Sequence, residues 1–417
     1  MLESQTMRLL MLSSTFPYPP SRGGTEIRTF NLLKYLSQRH AVTLVTQRHH
    51  AVTDQDVEQL RTWVDELKLF HLPASVSEQR PAANSLQRMS GQLQRFTHSL
   101  IRTTPPNVLY RYSPEMQTWI SSAIHSGDYD AVTCEHSVNE IYIQPEFRQR
   151  LKTVVDIHSS VYAWTRNHLE MNASTHPWRD RLYLPLLKQY EQRYCRKFSA
   201  IVVTTEEDRQ EIQRLVPDAK IRVVPNGVDL ELFPYRNSDP SSYDLVFVGA
   251  MDASHNIDAA RFFALEVMPQ LRQRYPQATF RIVGARPVAA VLELADQPGV
   301  IVTGEVASMV DELHKATVCV VPLRTGFGIK NKTLEAMAAG VPVAASDRGL
   351  EGLAVDGTAP LRALRANRVS DYIEAVSRLF EDSALRENLS QAGRIFVQQS
   401  YTWEQAGAAY EQVLSRC

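Results

Sequence analysis

Long apolar runs are missing from this chain: none of its 417 residues falls in a stretch of roughly 18 consecutive apolar positions, the length a membrane-spanning helix needs. Cysteine is scarce. Cys134, Cys195, Cys319 and Cys417 lie far apart, which excludes zinc-ligand spacing and a disulfide-stapled scaffold and points to a reducing, cytoplasmic setting. Net charge is nearly absent, with 45 Lys and Arg against 46 Asp and Glu, so nothing global attracts a polyanion and nucleic acid is not an expected partner. Tandem repeats and low-complexity tracts are missing too. What remains, 44% hydrophobic and 22% charged residues, is the composition of a folded protein long enough for two or three domains of about 150 residues. The run Leu9 to Leu12 is short and lacks a small-residue cleavage site, and reads as a first strand rather than a signal peptide.

Strand-like runs alternate with helix-periodic stretches along the whole chain, the pattern of parallel α/β sheets. Arg8 to Ser14, Ala41 to Thr46, Ala131 to Cys134, Thr153 to Ile157, Ala200 to Thr204 and Ile221 to Val224 read as strands, with a helix from about Gly24 to Ser37. Between Arg236 and Tyr243 the composition turns to Asn, Ser, Asp and Pro, a linker signal. The pattern then restarts with Asp244 to Gly249, followed by Thr279 to Gly284, Val300 to Thr303, Val318 to Val321 and Val341 to Ala345. The expected fold class is α/β, with two Rossmann-like domains, 1–235 and 236–399, facing across a cleft that holds the ligand. A packing helix is expected near the end of the chain, over Thr402 to Ser415.

Three segments carry chemistry. Gly23 and Gly24 follow the first strand at a helix start, where free N–H groups and the helix dipole suit phosphate. Pro225-Asn226-Gly227-Val228-Asp229 is a turn beside the linker, serving structure or site equally well. The most informative is Pro322 to Val343, where a strand ends in a glycine loop containing Gly326 and Gly328 and a helix begins near Lys330. Arg324, Lys330, Asn331 and Lys332 cluster there, so a diphosphate could be held by cations and helix N–H groups together. Glu335, one turn further, is an acceptor-only carboxylate able to take two hydroxyl protons from a ribose. The competing reading is a solvated basic loop with Glu335 in an ordinary surface ion pair.

Taken together, SSTFPYPPSRGGTE, KIRVVPNGVDLELF, LVFVGAMD, FRIVGARP and GFGIKNKTLEAMAAGVPVAAS resemble a GT-B glycosyltransferase of the family-4 type, in order and over nearly the whole chain. The resemblance implies transfer of a sugar from a nucleotide-sugar donor with retention of configuration. It implies a donor bound mainly to the C-terminal domain, a glycan or lipid-linked acceptor on the N-terminal one, and a last helix (about 400–417) crossing back to the N-terminal domain. Glu335 matches the second glutamate of the family's Glu-x7-Glu motif, which grips the nucleotide ribose; Lys330 and Lys332 match a Gly-x-Gly-x-Lys-x-Lys variant. The first glutamate would fall at Phe327 or Thr325, neither of them acidic, and the Arg and Lys that the family often carries after Gly249 for the diphosphate are replaced by Met251, Ala253 and Asn256. His158 is similar to a family histidine near the donor sugar, and His136 is a weaker candidate. Val283 and Val306 match segments that wall the nucleobase, with plain core as their alternative. The resemblance further implies front-face attack, so that no protein nucleophile is required; no cofactor or metal is expected.

Two Asp-x-Asp sequences, Asp128 to Asp130 and Asp54 to Asp56, have the form of metal binders elsewhere, but their positions before a strand and at a helix start read as structural. From Gln79 to Pro114 there are no acids. There Leu86, Met89, Leu93, Phe96 and Leu100 form an apolar stripe beside Arg88, Arg95 and Arg102, so that 84–102 could rest on the inner face of a membrane or simply be a basic domain helix. Rival readings are a nucleotide-sugar epimerase or hydrolase and a nucleotide-binding pseudoenzyme; an NAD-linked oxidoreductase is disfavoured because no full Gly-x-Gly-x-x-Gly follows either opening strand.

Overall fold

The computed structural model of the chain describes residues 6–20, 23–73, 104–170, 174, 176–326, 328–357 and 359–415. The segment 84–102 and Phe327 lie outside the described residues. The chain divides into two compact units, Met1–Val224 with Gly407–Cys417, and Pro225–Ala406. The division falls ahead of the Arg236 to Tyr243 stretch because the segment after Pro225 is bound to the second unit. Val228 bridges to Thr402, and Phe233 lies in the second unit's core.

In the first unit, β1 (Arg8–Ser13), β2 (Ala41–Arg48), β3 (Glu66–His71), β4 (Ala131–Glu135), β5 (Lys152–Ile157), β6 (Ala200–Val203) and β7 (Ile221–Val223) form one sheet in the order β3-β2-β1-β4-β5-β6-β7. Every pairing is parallel, with Leu9 level with Val42 on one side and Ala131 on the other. β6 is buried along its whole length, which is why it reads as a continuous apolar run and not as an alternation. The helix Gly24–Ser37 follows β1 and buries Phe30, Leu32, Leu33 and Leu36, its apolar residues recurring at helical spacing.

In the second unit, β8 (Asp244–Val248), β9 (Thr279–Val283), β10 (Val300–Gly304), β11 (Val318–Val321), β12 (Val343–Ala345) and β13 (Leu364–Arg365) form a parallel sheet in the order β10-β9-β8-β11-β12-β13. Both sheets reverse direction of growth beside their first strand, between β1 and β4 and between β8 and β11. Such a reversal opens a crevice at the carboxyl ends of the two strands concerned, where open α/β sheets take their ligands. In the second unit the crevice is framed by Gly249, just after β8, and by the loop from Pro322 to Lys330, just after β11. In the first unit it is framed by the turn leading to Gly23 and by Glu135 and His136.

The Asp-x-Asp sequences are spent on structure. Asp130 accepts from the Arg8 backbone N–H at 2.7 Å and Asp128 pairs with the Arg8 guanidinium at 3.2 Å. Asp56 closes a capping box with Thr53 at the start of the helix Asp54–Arg61.

Candidate active site

The helix Asn331–Ala338 begins as soon as the glycine loop ends. Its N-cap, Lys330, is extended and contributes no side-chain cap to the helix. Lys332 reaches back from the first turn to the end of β8. Its Nζ donates to Asn256 Oδ1 at 2.6 Å and lies 4.3 Å from the centre of the Phe247 ring. Asn256 is buried, and its amide in turn donates to the Ala250 carbonyl at 2.9 Å, fixing which way its oxygen points. Burial pulls the Lys332 ammonium down to about 7, opposed by the charges of Cys319 and Glu335.

Gly249 makes this seat. It has φ +156°, and a Cβ there would stand 2.6 Å from Lys332 Nζ and 2.7 Å from Asn256 Nδ2. Gly284, at the end of β9 with φ +151°, packs its backbone so tightly against the Gly249 carbonyl that any side chain would overlap it. The rim of the sheet is therefore bare backbone, open to a flat or anionic ligand.

Glu335, one turn beyond Lys332, is half-buried, and burial pushes its carboxyl up to about 7 against the pull of Lys332. Among the described residues no side chain hydrogen-bonds its carboxylate, which leaves both oxygens with acceptor capacity. Asn331 accepts a hydrogen bond from the Asn226 amide at 2.9 Å, joining the Pro225-Asn226-Gly227 turn to the helix start.

The other cations of the cluster are differently engaged. Lys330 is buried, donates to the Gly328 carbonyl and pairs with Glu351 at 3.2 Å, which also takes Arg348 at 3.2 Å. Arg324 is exposed, forks onto Asp258 and stacks over Phe262 at 5.0 Å. Of the basic residues singled out in sequence, the structure thus sets Lys332 beside Glu335 and the glycine rim, and ties Lys330 and Arg324 to acids of their own. Gly328, with φ +71°, shapes the loop. Val283 is wholly in the core, while Val306 is half-buried and packs against it. Asn256 escaped sequence reasoning as a contributor. Its only signal was that it stands where a basic residue was expected.

Gly23, Gly24 and His158 belong to the first unit and form a separate arrangement there. Gly23 is the extended N-cap of the helix Gly24–Ser37, with no side-chain cap. One turn in, Arg28 is 1% exposed and forks onto Asp156, with Nε at 2.6 Å and Nη2 at 3.1 Å from its two oxygens. Burial would raise Asp156, but the Arg28 charge holds it below the usual carboxylate range. His158 Nε2 lies 3.5 Å from Asp156, and its ring meets His136 edge-on at 5.1 Å. Burial, with the charges of His158 and Arg111, keeps His136 neutral down to about 3.

Glu135, 1% exposed, accepts from Tyr410 at 2.7 Å and Thr133 at 2.9 Å; burial and then Asp156 push its carboxyl far up, so that it is protonated near neutrality. Glu135, Asp156 and His158 offer donor atoms within 4.8 Å of one another. A cation fits them poorly, because Asp156 is already neutralised by Arg28 and Glu135 is a neutral acid.

Two parallel α/β units of this strand order, the second carrying a glycine rim, a half-buried lysine and a carboxylate, have the GT-B architecture. Solved structures with the same architecture include sucrose-phosphate synthase from Thermosynechococcus elongatus, 19% identical over 98% of each chain with a TM-score of 0.66. HepE of Anabaena in complex with UDP and glucose is 14% identical, over 99% of this chain and 100% of its own, with a TM-score of 0.63. A TarM mutant of S. aureus in complex with fondaparinux, α-GlcNAc-glycerol and UDP is 11% identical over 99% and 100%, with a TM-score of 0.67. No curated protein matches the sequence. Residues 22–232 match the family described as Glycosyltransferase Family 4 and residues 242–382 the one described as Glycosyl transferases group 1, and the chain belongs to this family.

Proposed function

We propose that this glycosyltransferase moves a hexosyl group from a nucleoside diphosphate donor to a glycan or lipid-linked acceptor, with retention of configuration and without a metal ion, in polysaccharide or glycoconjugate biosynthesis. The observation that carries the reading is the seat of Lys332 beneath Gly249, with Glu335 one turn away and unpartnered among the described residues. A pyrophosphate laid across the bare rim would meet the Lys332 ammonium and the uncapped N–H groups of the helix Asn331–Ala338. Glu335 would accept hydrogen bonds from the two ribose hydroxyls. Departure of the diphosphate places charge on its terminal oxygen, where a fixed cation in a low-dielectric seat does the most to lower the barrier. That same oxygen takes the acceptor's hydroxyl proton as the new glycosidic bond forms on the face it leaves, so no carboxylate nucleophile is needed. His158 steadies the donor sugar.

HepE and TarM bind UDP, and HepE also UDP-glucose, which makes uridine nucleotides the first donors to test. Among the described residues no helix is long and apolar enough to cross a membrane. With a lipid-linked acceptor, the enzyme would work in the cytoplasm at the inner membrane face. The test is a thermal-shift screen of nucleotide-sugars followed by release of nucleoside diphosphate with and without lipid-linked acceptors. Acceptor-dependent release supports transfer. Release without acceptor identifies a hydrolase or epimerase, and binding without release identifies a binding protein.

A further inference from the structure

The helix Pro177–Cys195 in the first unit carries a face that the transfer reaction does not use. Trp178 is 79% exposed and Leu182 68% exposed, one turn apart and so on the same side. Single exposed apolar residues are ordinary, but a large indole and a leucine side by side in water are a patch that asks for a partner. The polar surroundings are of one sign. Arg179, Arg181 and Lys188 are exposed, the Arg181 guanidinium lies 5.6 Å from the centre of the Trp178 ring, and Arg193 and Arg196 are exposed further along.

The helix has two acids; Asp180 offsets Arg179, and neither acid pairs with Arg181 or Lys188. Asp180 is half-buried and taken by Arg179 at 3.1 Å and Ser174 at 2.6 Å. Glu191 is buried and accepts from Ser160 at 2.6 Å. On the neighbouring helix Val161–Glu170, Trp164 is also exposed, and the exposed Glu170 faces Arg166 at 3.6 Å.

We propose that this face docks on an anionic lipid bilayer, with Trp178 and Leu182 entering the boundary between headgroups and acyl chains and the flanking cations resting on lipid phosphates. The physics favours lipid over a folded partner. Indole rings settle at the depth where apolar and wet regions meet. Long basic side chains keep their charge among headgroups while their stems lie on apolar surface. An amphipathic face binds through its apolar area and its attraction to anionic lipid together. The surface lies among the described residues and shares no residue with 84–102.

The experiment is co-sedimentation of the full chain with phosphatidylcholine vesicles, with and without about one third phosphatidylglycerol. The wild type should pellet with the anionic vesicles and be released by salt, because exposed charges are screened. Trp178→Ala with Leu182→Ala should lower the partition coefficient about tenfold or more. Arg181→Glu with Lys188→Glu should erase the preference for anionic over neutral vesicles. All four positions are exposed, so these variants should melt like the wild type, and Glu335→Ala should bind vesicles unchanged because the face is independent of the transfer site. Wild-type protein that stays in the supernatant with both vesicles overturns the proposal. So does a Trp178→Ala/Leu182→Ala variant that pellets normally, or a soluble dimer that this double variant dissolves, which would make the partner a second copy.

Discussion

Lys332 and Glu335 are driven toward the same value, about 7, from opposite sides, both by burial. Their effects on donor binding therefore oppose one another across neutrality. Above about 7 the free lysine loses its proton, which an arriving diphosphate must restore, so affinity falls as pH rises. Below about 7 the glutamate gains a proton and loses acceptor capacity, so affinity falls as pH drops. Calorimetric titration with UDP should trace a maximum near neutrality; Lys332→Ala should weaken binding and flatten the alkaline limb, and Glu335→Ala the acid limb. Glu335→Ala should also lower kcat/KM by roughly 10- to 150-fold, the worth of a charged hydrogen bond of about 1.5–3 kcal/mol. Gly249→Ala should damage binding about as much as Lys332→Ala and should also lower the melting temperature, since φ +156° disfavours any side chain and the new methyl group collides with the end of Lys332 and the buried Asn256 amide. Binding like that of the wild type would show that Lys332 does not need this seat.

Among the elements, the strands that frame the second crevice were legible because burial on both faces makes them near-continuous apolar runs, as in β8 and β11. Two edge strands were not. β3 mixes Glu66, Lys68 and His71 with its apolar residues, and β13 is only two residues long, so neither stands out from a loop. Within the site, Glu335 and Lys332 could be singled out because their motif is local in sequence. The partners that place them could not. Asn256 is brought to Lys332 by the adjacency of β8 and β11, and Glu351 removes Lys330 from the free cations through a contact across the loop. Arg28 and Asp156 are a similar long-range pair, joining the first helix to β5. Asp156→Asn should strand the buried guanidinium and cost about 3–5 kcal/mol, seen as a large drop in melting temperature. A change within the range of surface substitutions would mean that water reaches Arg28.

At the scale of the molecule, the first unit is made of two separate stretches of chain. The helix Trp403–Ser415 brings Tyr410 into that unit, where its hydroxyl is shared between Glu135 and Thr133 beside β4. Tyr410→Phe should therefore destabilise the first unit by about 1–3 kcal/mol, because two buried polar groups lose a partner. Scanning calorimetry should show one transition of a two-domain unfolding profile moving down while the other stays in place.

The same return of the chain sets an order for biosynthesis. Domains form as they leave the ribosome, yet residues 1–224 must wait for 407–415, which follow the whole of 225–406. The part translated second is thus complete first, and the part translated first keeps the place of Tyr410 open, exposed to chaperones and proteases, until 407–415 have emerged.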